Sequence, residues 1–150
     1  MALRPAGLQR HPLLIKLLLK DSGNKVILCG SKSEIERNKK LYKENKLDSL
    51  INVTDNYDIE EFSYLINLSD VIVTGDTVGL HIAISLNRKI VSFFGPTPHQ
   101  EINLFGLGKK LVREELECLN CYDQFPCHYD GKCMSLISVN EVYESIKELL

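Results

Sequence analysis

Asp76, Thr77, Gly79 and His81 fall within six residues of one another, in the stretch Thr74-Gly-Asp-Thr-Val-Gly-Leu-His81. A β-branched apolar run precedes them and an apolar, helix-like run follows, so they occupy a strand-to-helix turn. Such a turn needs one capping residue, and this one carries several polar groups. A helix beginning near Thr77 exposes its first amides, backed by the positive end of the helix dipole. That is an anion site built without a basic side chain. Gly75 and Gly79 leave room for a ligand to approach the backbone, and the Thr77 hydroxyl adds a donor for a phosphate oxygen. The Asp76 carboxylate either caps the helix or turns outward to accept hydrogen bonds from sugar hydroxyls. His81, one turn in, could donate to a phosphate or a sugar, though a lone histidine in an apolar helix is more often a satisfied core residue. The turn is neither a Walker loop nor a GxGxxG fingerprint.

The chain must hold this turn in one domain. With 150 residues it is long enough for a real core and short for a complete enzyme. A net charge of −2 gives no field for nucleic acid, and no basic stripe with interleaved aromatics is present, so nucleic-acid binding is not expected. The apolar run Leu13 to Leu19 is interrupted by Lys16 and is too short to span a bilayer. No small-residue cleavage site follows it, so no signal peptide is read. The cytoplasm is the expected location, or the inner membrane as a peripheral protein.

Helices and strands alternate along the sequence. Helices are expected at Leu13 to Lys20, from Ser31 to about Asn45, from Asp58 to Leu68, from about Thr77 to Leu86, and from Ser138 to Leu150. Capping boxes open three of them, pairing Ser31 with Glu34, Asp58 with Glu61, and Ser138 with Glu141. Strands are expected at Lys25 to Gly30, Leu50 to Val53, Asp70 to Thr74, Lys89 to Phe94 and Lys110 to Val112, with a short helix after Thr97. This alternation predicts βαβ units, a parallel sheet and helices on both faces. Ligands of such sheets sit beyond the carboxyl ends of the strands. Three polar turns lie there, at Gly30-Ser31-Lys32, at Thr74 to His81, and at Gly95-Pro96-Thr97. Residues 1–11 read as an irregular stretch and residues 12–150 as one domain.

The stretch Asp70-Val-Ile-Val-Thr-Gly-Asp-Thr-Val-Gly-Leu-His-Ile-Ala-Ile-Ser85, followed by Lys89-Ile-Val-Ser-Phe-Phe-Gly-Pro-Thr97, resembles the C-terminal half of the ADP-heptose:lipopolysaccharide heptosyltransferases, glycosyltransferase family 9. Asp76, Thr77, His81 and Ala83 match the family's pattern, as do Gly95, Pro96 and Thr97. The cysteine tail ending Cys133-Met134 also resembles many members. The resemblance covers roughly residues 12–150. It implies one Rossmann-like half of a GT-B fold, the half that holds a nucleotide-sugar donor for inverting transfer in lipopolysaccharide or related glycan synthesis. Carried over, Thr77, Val78 and Gly79 hold the donor diphosphate, Asp76 meets the sugar, Ser31 and Lys32 lie near the nucleoside, and His81 and Thr97 line the same crevice. Val78 stands where the family commonly has glycine, which tightens the approach while keeping the amide donor.

The family's acceptor domain, with its acidic base, has no counterpart among these residues, and Met1 to Arg10 does not read as the strand that should precede the first helix. The chain alone is therefore expected to bind donor weakly and to turn over little. No catalytic residue and no cofactor are assigned. A glycan or lipid-linked acceptor and a homodimer are the further partners considered. Two other readings stay open: a non-catalytic module that binds a nucleotide or a partner protein, and another GT-B enzyme such as a sugar-nucleotide epimerase.

Four cysteines, Cys118, Cys121, Cys127 and Cys133, cluster within sixteen residues. Four thiolates are enough for a tetrahedral zinc or an iron–sulfur site, but the spacing is looser than paired knuckles. Free or partly oxidised thiols holding an irregular loop, with Tyr122, Phe125 and Tyr129 as its apolar cluster, are the alternative, and no metal is assigned. Cys29 is expected in the core. The charged run Glu34 to Lys46 reads as a solvated helix face. Glu101 is a further residue within reach of a donor sugar. His11, His99 and His128 lie in loop-like contexts without a nameable partner.

Overall fold

Strands form at Val71–Gly75 and Lys89–Phe93, where β-branched residues run together, and the helices Ile59–Leu68 and Val139–Lys147 start where side chains satisfy their first amides. A computed structural model describes residues 11–20, 23–45, 47–122, 127 and 131–150. Its elements follow in the order α1 (His11–Leu18), β1 (Val26–Leu28), α2 (Ile35–Glu44), β2 (Leu50–Asn52), α3 (Ile59–Leu68), β3 (Val71–Gly75), α4 (Val78–Ser85), β4 (Lys89–Phe93), β5 (Gly108–Leu111), α5 (Lys132–Ser135) and α6 (Val139–Lys147). Single turns of 3-10 helix at Lys32–Glu34 and His99–Glu101 precede α2 and follow β4.

The boundaries differ from the sequence expectation where side chains intervene. The first strand stops at Leu28 because the Tyr57 hydroxyl takes over at Gly30, accepting from its amide at 2.7 Å and donating to its carbonyl at 3.1 Å. The last strand begins at Gly108 rather than Lys110, since only a glycine lets the backbone pass so close to the Ile90 carbonyl. Helix α5 was not expected. Gly131, left-handed at φ 70°, starts it inside what reads as a cysteine loop.

The capping boxes expected at Asp58 and Ser138 are present. The Asp58 carboxylate accepts from the Glu60 and Glu61 amides, each at 2.9 Å, and the Ser138 hydroxyl accepts from the Glu141 amide at 3.1 Å. Each such cap contributes about 1 kcal/mol. At Ser31 the Glu34 carboxylate accepts from the Ser31 amide at 3.0 Å.

All strand pairing is parallel, as expected, but the described strands form two sheets, β1 with β2 and β3–β4–β5 in that order. Helices cover both faces. Val91 and Phe93 of β4 pack with Leu14 of α1 and with Val142 and Ile146 of α6. Ile90, on the opposite face of the same strand, packs with Ile66 of α3 and with Leu80 and Ala83 of α4. A third cluster, Ile15, Leu28, Leu41 and Leu50, fills the β1–β2 half, so α1 spans the two halves through adjacent residues. Cys29 is buried, as expected. Among the described residues no helix is long and apolar enough to cross a membrane.

Candidate functional site

The Thr74–His81 turn lies at the carboxyl end of β3 and leads straight into α4. Thr77 is the N-cap residue, and its side chain makes no hydrogen bond to the helix amides. Its hydroxyl instead lies 3.0 Å from that of Thr74. The Leu80 and His81 amides reach back to the Thr77 carbonyl, at 2.9 and 3.5 Å. The Val78 and Gly79 amides, the first two of the helix, have no intrahelical acceptor. Asp76 does not cap the helix either. Its carboxylate lies 3.7 Å from His81 Nε2, and that histidine is largely exposed rather than a core residue.

Gly79 has a reason of its own to be glycine. A Cβ there would stand 3.3 Å from Phe62 Cζ, so its bare face is what lets α4 sit against α3. The space expected for a ligand at this Cα is taken by an aromatic ring, and only the amide side stays open. At Gly75 a Cβ would meet nothing closer than the Phe93 carbonyl oxygen, 3.8 Å away.

A cavity of about 1130 Å³ runs between the two sheets. Ser31, Thr77, Val78 and Gly79 line it, so four residues expected in the site share one cavity. Lys32, Asp76, His81 and Thr97 are not among the residues that line it. Asp76 and His81 flank it on the α4 side, whereas Thr97 lies past the end of β4, beyond the neighbouring strand.

Two residues of the cavity wall were not anticipated. Arg37 stands in the charged run read as a solvated face, yet its side chain is largely buried, 2.6 Å from the Glu34 carboxylate and bonded to Asn38 Oδ1 at 3.0 Å. Only its spacing of three residues from the capping Glu34 hints at this. Tyr57 stacks on Phe62 at 5.0 Å, which joins the end of β1 to α3 and, through Gly79, to α4. Burial, with smaller contributions led by Cys29, pushes the Tyr57 hydroxyl up to about 12, so it stays protonated as the Gly30 donor.

The Gly95-Pro96-Thr97 turn is held from behind by the cysteine segment. The Asn120 and Tyr122 amides donate to the carbonyls of Gly95 and Pro96, at 3.0 and 2.7 Å. A Cβ at Gly95 would stand 2.6 Å from Cys133 Sγ. Burial pushes the Cys133 thiol up, with the Cys118, Cys121 and Cys127 sulfurs as lesser contributors. All five cysteines are free, and among the described residues no group of three or more His, Cys, Asp or Glu side chains is arranged to hold a metal ion. Tyr122 is exposed; Phe125, Tyr129 and His128 lie outside the described residues. His99 packs against the Phe94 ring, its carbonyl accepts from Lys110 Nζ at 2.6 Å, and its Nε2 lies 3.5 Å from the Glu114 carboxylate. Glu101 is exposed at the end of the 3-10 turn.

The sequence model of glycosyltransferase family 9 (heptosyltransferase) matches residues 14–129. The chain belongs to glycosyltransferase family 9. Lipooligosaccharide heptosyltransferase 2 of Campylobacter jejuni subsp. jejuni serotype O:6 is 30% identical over 105 residues, which are 69% of this chain and 32% of that protein. The E. coli ADP-heptose LPS heptosyltransferase II superposes on 97% of the chain with a TM-score of 0.73 and 21% identity. An E. coli heptosyltransferase with ADP-2-deoxy-2-fluoro heptose superposes on all of it, with a TM-score of 0.69 and 22% identity. The chain spans 41% of each of these solved chains and about a third of the curated relative. The fold is therefore the Rossmann-like α/β arrangement found in the family 9 heptosyltransferases.

Proposed function

We propose that this family 9 chain binds the nucleotide-sugar donor of an inverting glycosyltransferase, with the diphosphate on the N-terminus of α4. The observation that carries the reading is the pair of amides at Val78 and Gly79, which lack intrahelical acceptors and open onto a cavity shared with Ser31 and Arg37. Backbone donors with the dipole behind them suit an anion whose charge grows as the bond to the anomeric carbon breaks. An acceptor hydroxyl attacks that carbon while the diphosphate departs with the bonding electrons, and the amides stabilise the departing charge. The base that takes the hydroxyl proton is assigned to no residue of this chain.

Asp76, whose carboxylate lies 3.7 Å from His81 Nε2, presents its oxygens to sugar hydroxyls. The ADP-sugar analogue named for one solved relative, and the ADP-heptose named for the other, favour an ADP-heptose-like donor for glycan assembly of the lipopolysaccharide type. Lys32 and Thr97 lie outside the cavity wall and hold lesser places, Lys32 toward the nucleoside and Thr97 toward the crevice edge.

Calorimetric titration with ADP-, GDP- and UDP-sugars tests this. ADP-sugar is expected to bind best, and Thr77→Ala and Asp76→Ala each to weaken it about tenfold, the worth of one charge-assisted hydrogen bond. Binding that ignores both substitutions, or no binding to any of the three, contradicts the reading.

A further inference from the structure

Ser92 lies near the carboxyl end of β4 with no exposure, and its Oγ has no hydrogen-bond partner among the described residues. A serine hydroxyl carries one proton to donate, and leaving it unpaired inside a protein costs stability. Its neighbours limit where that proton can go. Ile90 and Phe94 pack under α3 and α4, so the alternation of the strand turns Ser92 to the same face. In register on β5 stands Lys110, whose ammonium reaches away to the His99 carbonyl at 2.6 Å. In register on β3 stands Thr74, also buried and on the face of Ile72, which packs in the same apolar cluster.

Thr74 links this hydroxyl to the start of α4. Its Oγ1 lies 3.0 Å from Thr77 Oγ1 and 3.2 Å from the Gly75 carbonyl oxygen. Thr74 has one proton, and its direction decides what Thr77 offers a ligand. Given to the Gly75 carbonyl, it obliges Thr77 to donate to Thr74 and to show a ligand only lone pairs, which a phosphate oxygen cannot use. Given to Thr77, it frees the Thr77 proton for an anion, because that side chain makes no bond to the helix amides. The second arrangement leaves Thr74 able to accept from one further donor. Neighbouring strands run about 4.8 Å apart and hydroxyls in register bond across them, so a change of Ser92 rotamer brings its Oγ to Thr74.

We infer that Ser92 is a positioning residue for the donor diphosphate: it donates to Thr74, Thr74 donates to Thr77, and Thr77 donates to a phosphate oxygen. The inference rests on the donor reading proposed above. Ser92 touches no ligand itself. It stands two hydroxyls behind the phosphate and sets the direction of the chain, with no proton leaving the oxygen that holds it. A phosphate oxygen favours this direction because it gives the last proton an acceptor, and each hydroxyl in the chain strengthens the next.

The test is calorimetric titration of ADP into the full chain, its Ser92→Ala and Thr77→Ala variants and the double variant, with urea unfolding of each. Ser92→Ala is expected to weaken ADP about fivefold, the worth of one hydrogen bond. It should leave adenosine binding unchanged and have no effect on ADP once Thr77 is alanine. Its urea midpoint is expected to equal or exceed that of the parent chain, since alanine removes an unpaired hydroxyl and keeps the rest of the side chain. A serine with a structural role alone would give the opposite pattern, a lower midpoint with equal changes for ADP and adenosine. Unchanged ADP affinity, an equal loss with Thr77→Ala already present, or a lower midpoint overturns the inference and leaves the donor reading standing. No ADP binding by the parent chain contradicts the donor reading, and this inference with it.

Discussion

The β3–β4–β5 half and the β1–β2 half contribute unequally to the same opening. The first presents Thr77, Val78 and Gly79 from a helix locked onto a three-stranded ladder, with Leu80, Ala83 and Ile90 fully buried behind them. The second presents Ser31 and Arg37 from a two-stranded ladder whose cluster contains four buried residues. A firmly packed helix start thus faces a more lightly held wall. The joints between them are α1, which places Leu14 in one core and Ile15 in the other, and the chain of contacts from Gly30 through Tyr57 and Phe62 to Gly79. For the donor proposed above, ligand position would be set by the first half and its enclosure by how firmly the second is held.

Substitutions that break this contrast should differ in size. Leu80→Ala removes a side chain with no exposure from the larger half and is expected to cost about 3–4 kcal/mol, measured by urea unfolding. A cost below about 1 kcal/mol would mean that α4 is not anchored as its burial implies. Tyr57→Phe removes the hydroxyl that serves Gly30 and should cost about 1–2 kcal/mol, with faster amide exchange in β1 and little change in β4. The same hydroxyl gives a pH signature. Its pKa is raised to about 12, so the stability it confers is full below pH 10 and is lost as pH rises from about 10 to 12. In Tyr57→Phe that part of the alkaline loss should vanish.

A smaller effect is expected at α6, where Arg113 pairs with Glu141. Its amine Nη1 lies 3.1 Å from the carboxylate, and a second, shorter contact comes from Nη2. The Arg113 hydrogen bond holds the Glu141 carboxyl below its ordinary value, so the pair's contribution is present above about pH 4.3 and fades as pH falls below it. Glu141→Gln should flatten the acid limb of the stability curve and change neutral-pH stability by less than about 1 kcal/mol. The smallest effect involves no stability at all. Cys133, half-buried against Gly95 with its thiol pushed up, should react with iodoacetamide more slowly than exposed Cys127, followed by peptide mass spectrometry. Equal rates would mean that the cysteine segment does not stay packed behind the Gly-Pro-Thr turn.

Local signals in the sequence carried the elements and the family well. The capping pairs at Asp58 and Ser138 and the β-branched runs at β3 and β4 are dictated by neighbours in the chain, and they appear where expected. What stayed hidden depends on distant partners. The break between β1 and β3 is set by which edges pair. Gly79 faces Phe62, seventeen positions earlier, and so serves packing where spacing alone read ligand access. The Thr77 hydroxyl meets Thr74 across the turn, and Arg37 turns inward from a helix whose other charges are solvated. Each is a side-chain direction, which residue type and spacing do not fix.

The central claim is that a diphosphate sits on the first amides of α4, and amide chemical shifts during an ADP titration test it most directly. The proposed cradle predicts that Val78 and Gly79 move furthest, with Ser31 next, and that adenosine without phosphates leaves Val78 and Gly79 in place. Shifts of equal size with adenosine, or the largest shifts outside the Thr74–His81 turn, would contradict it.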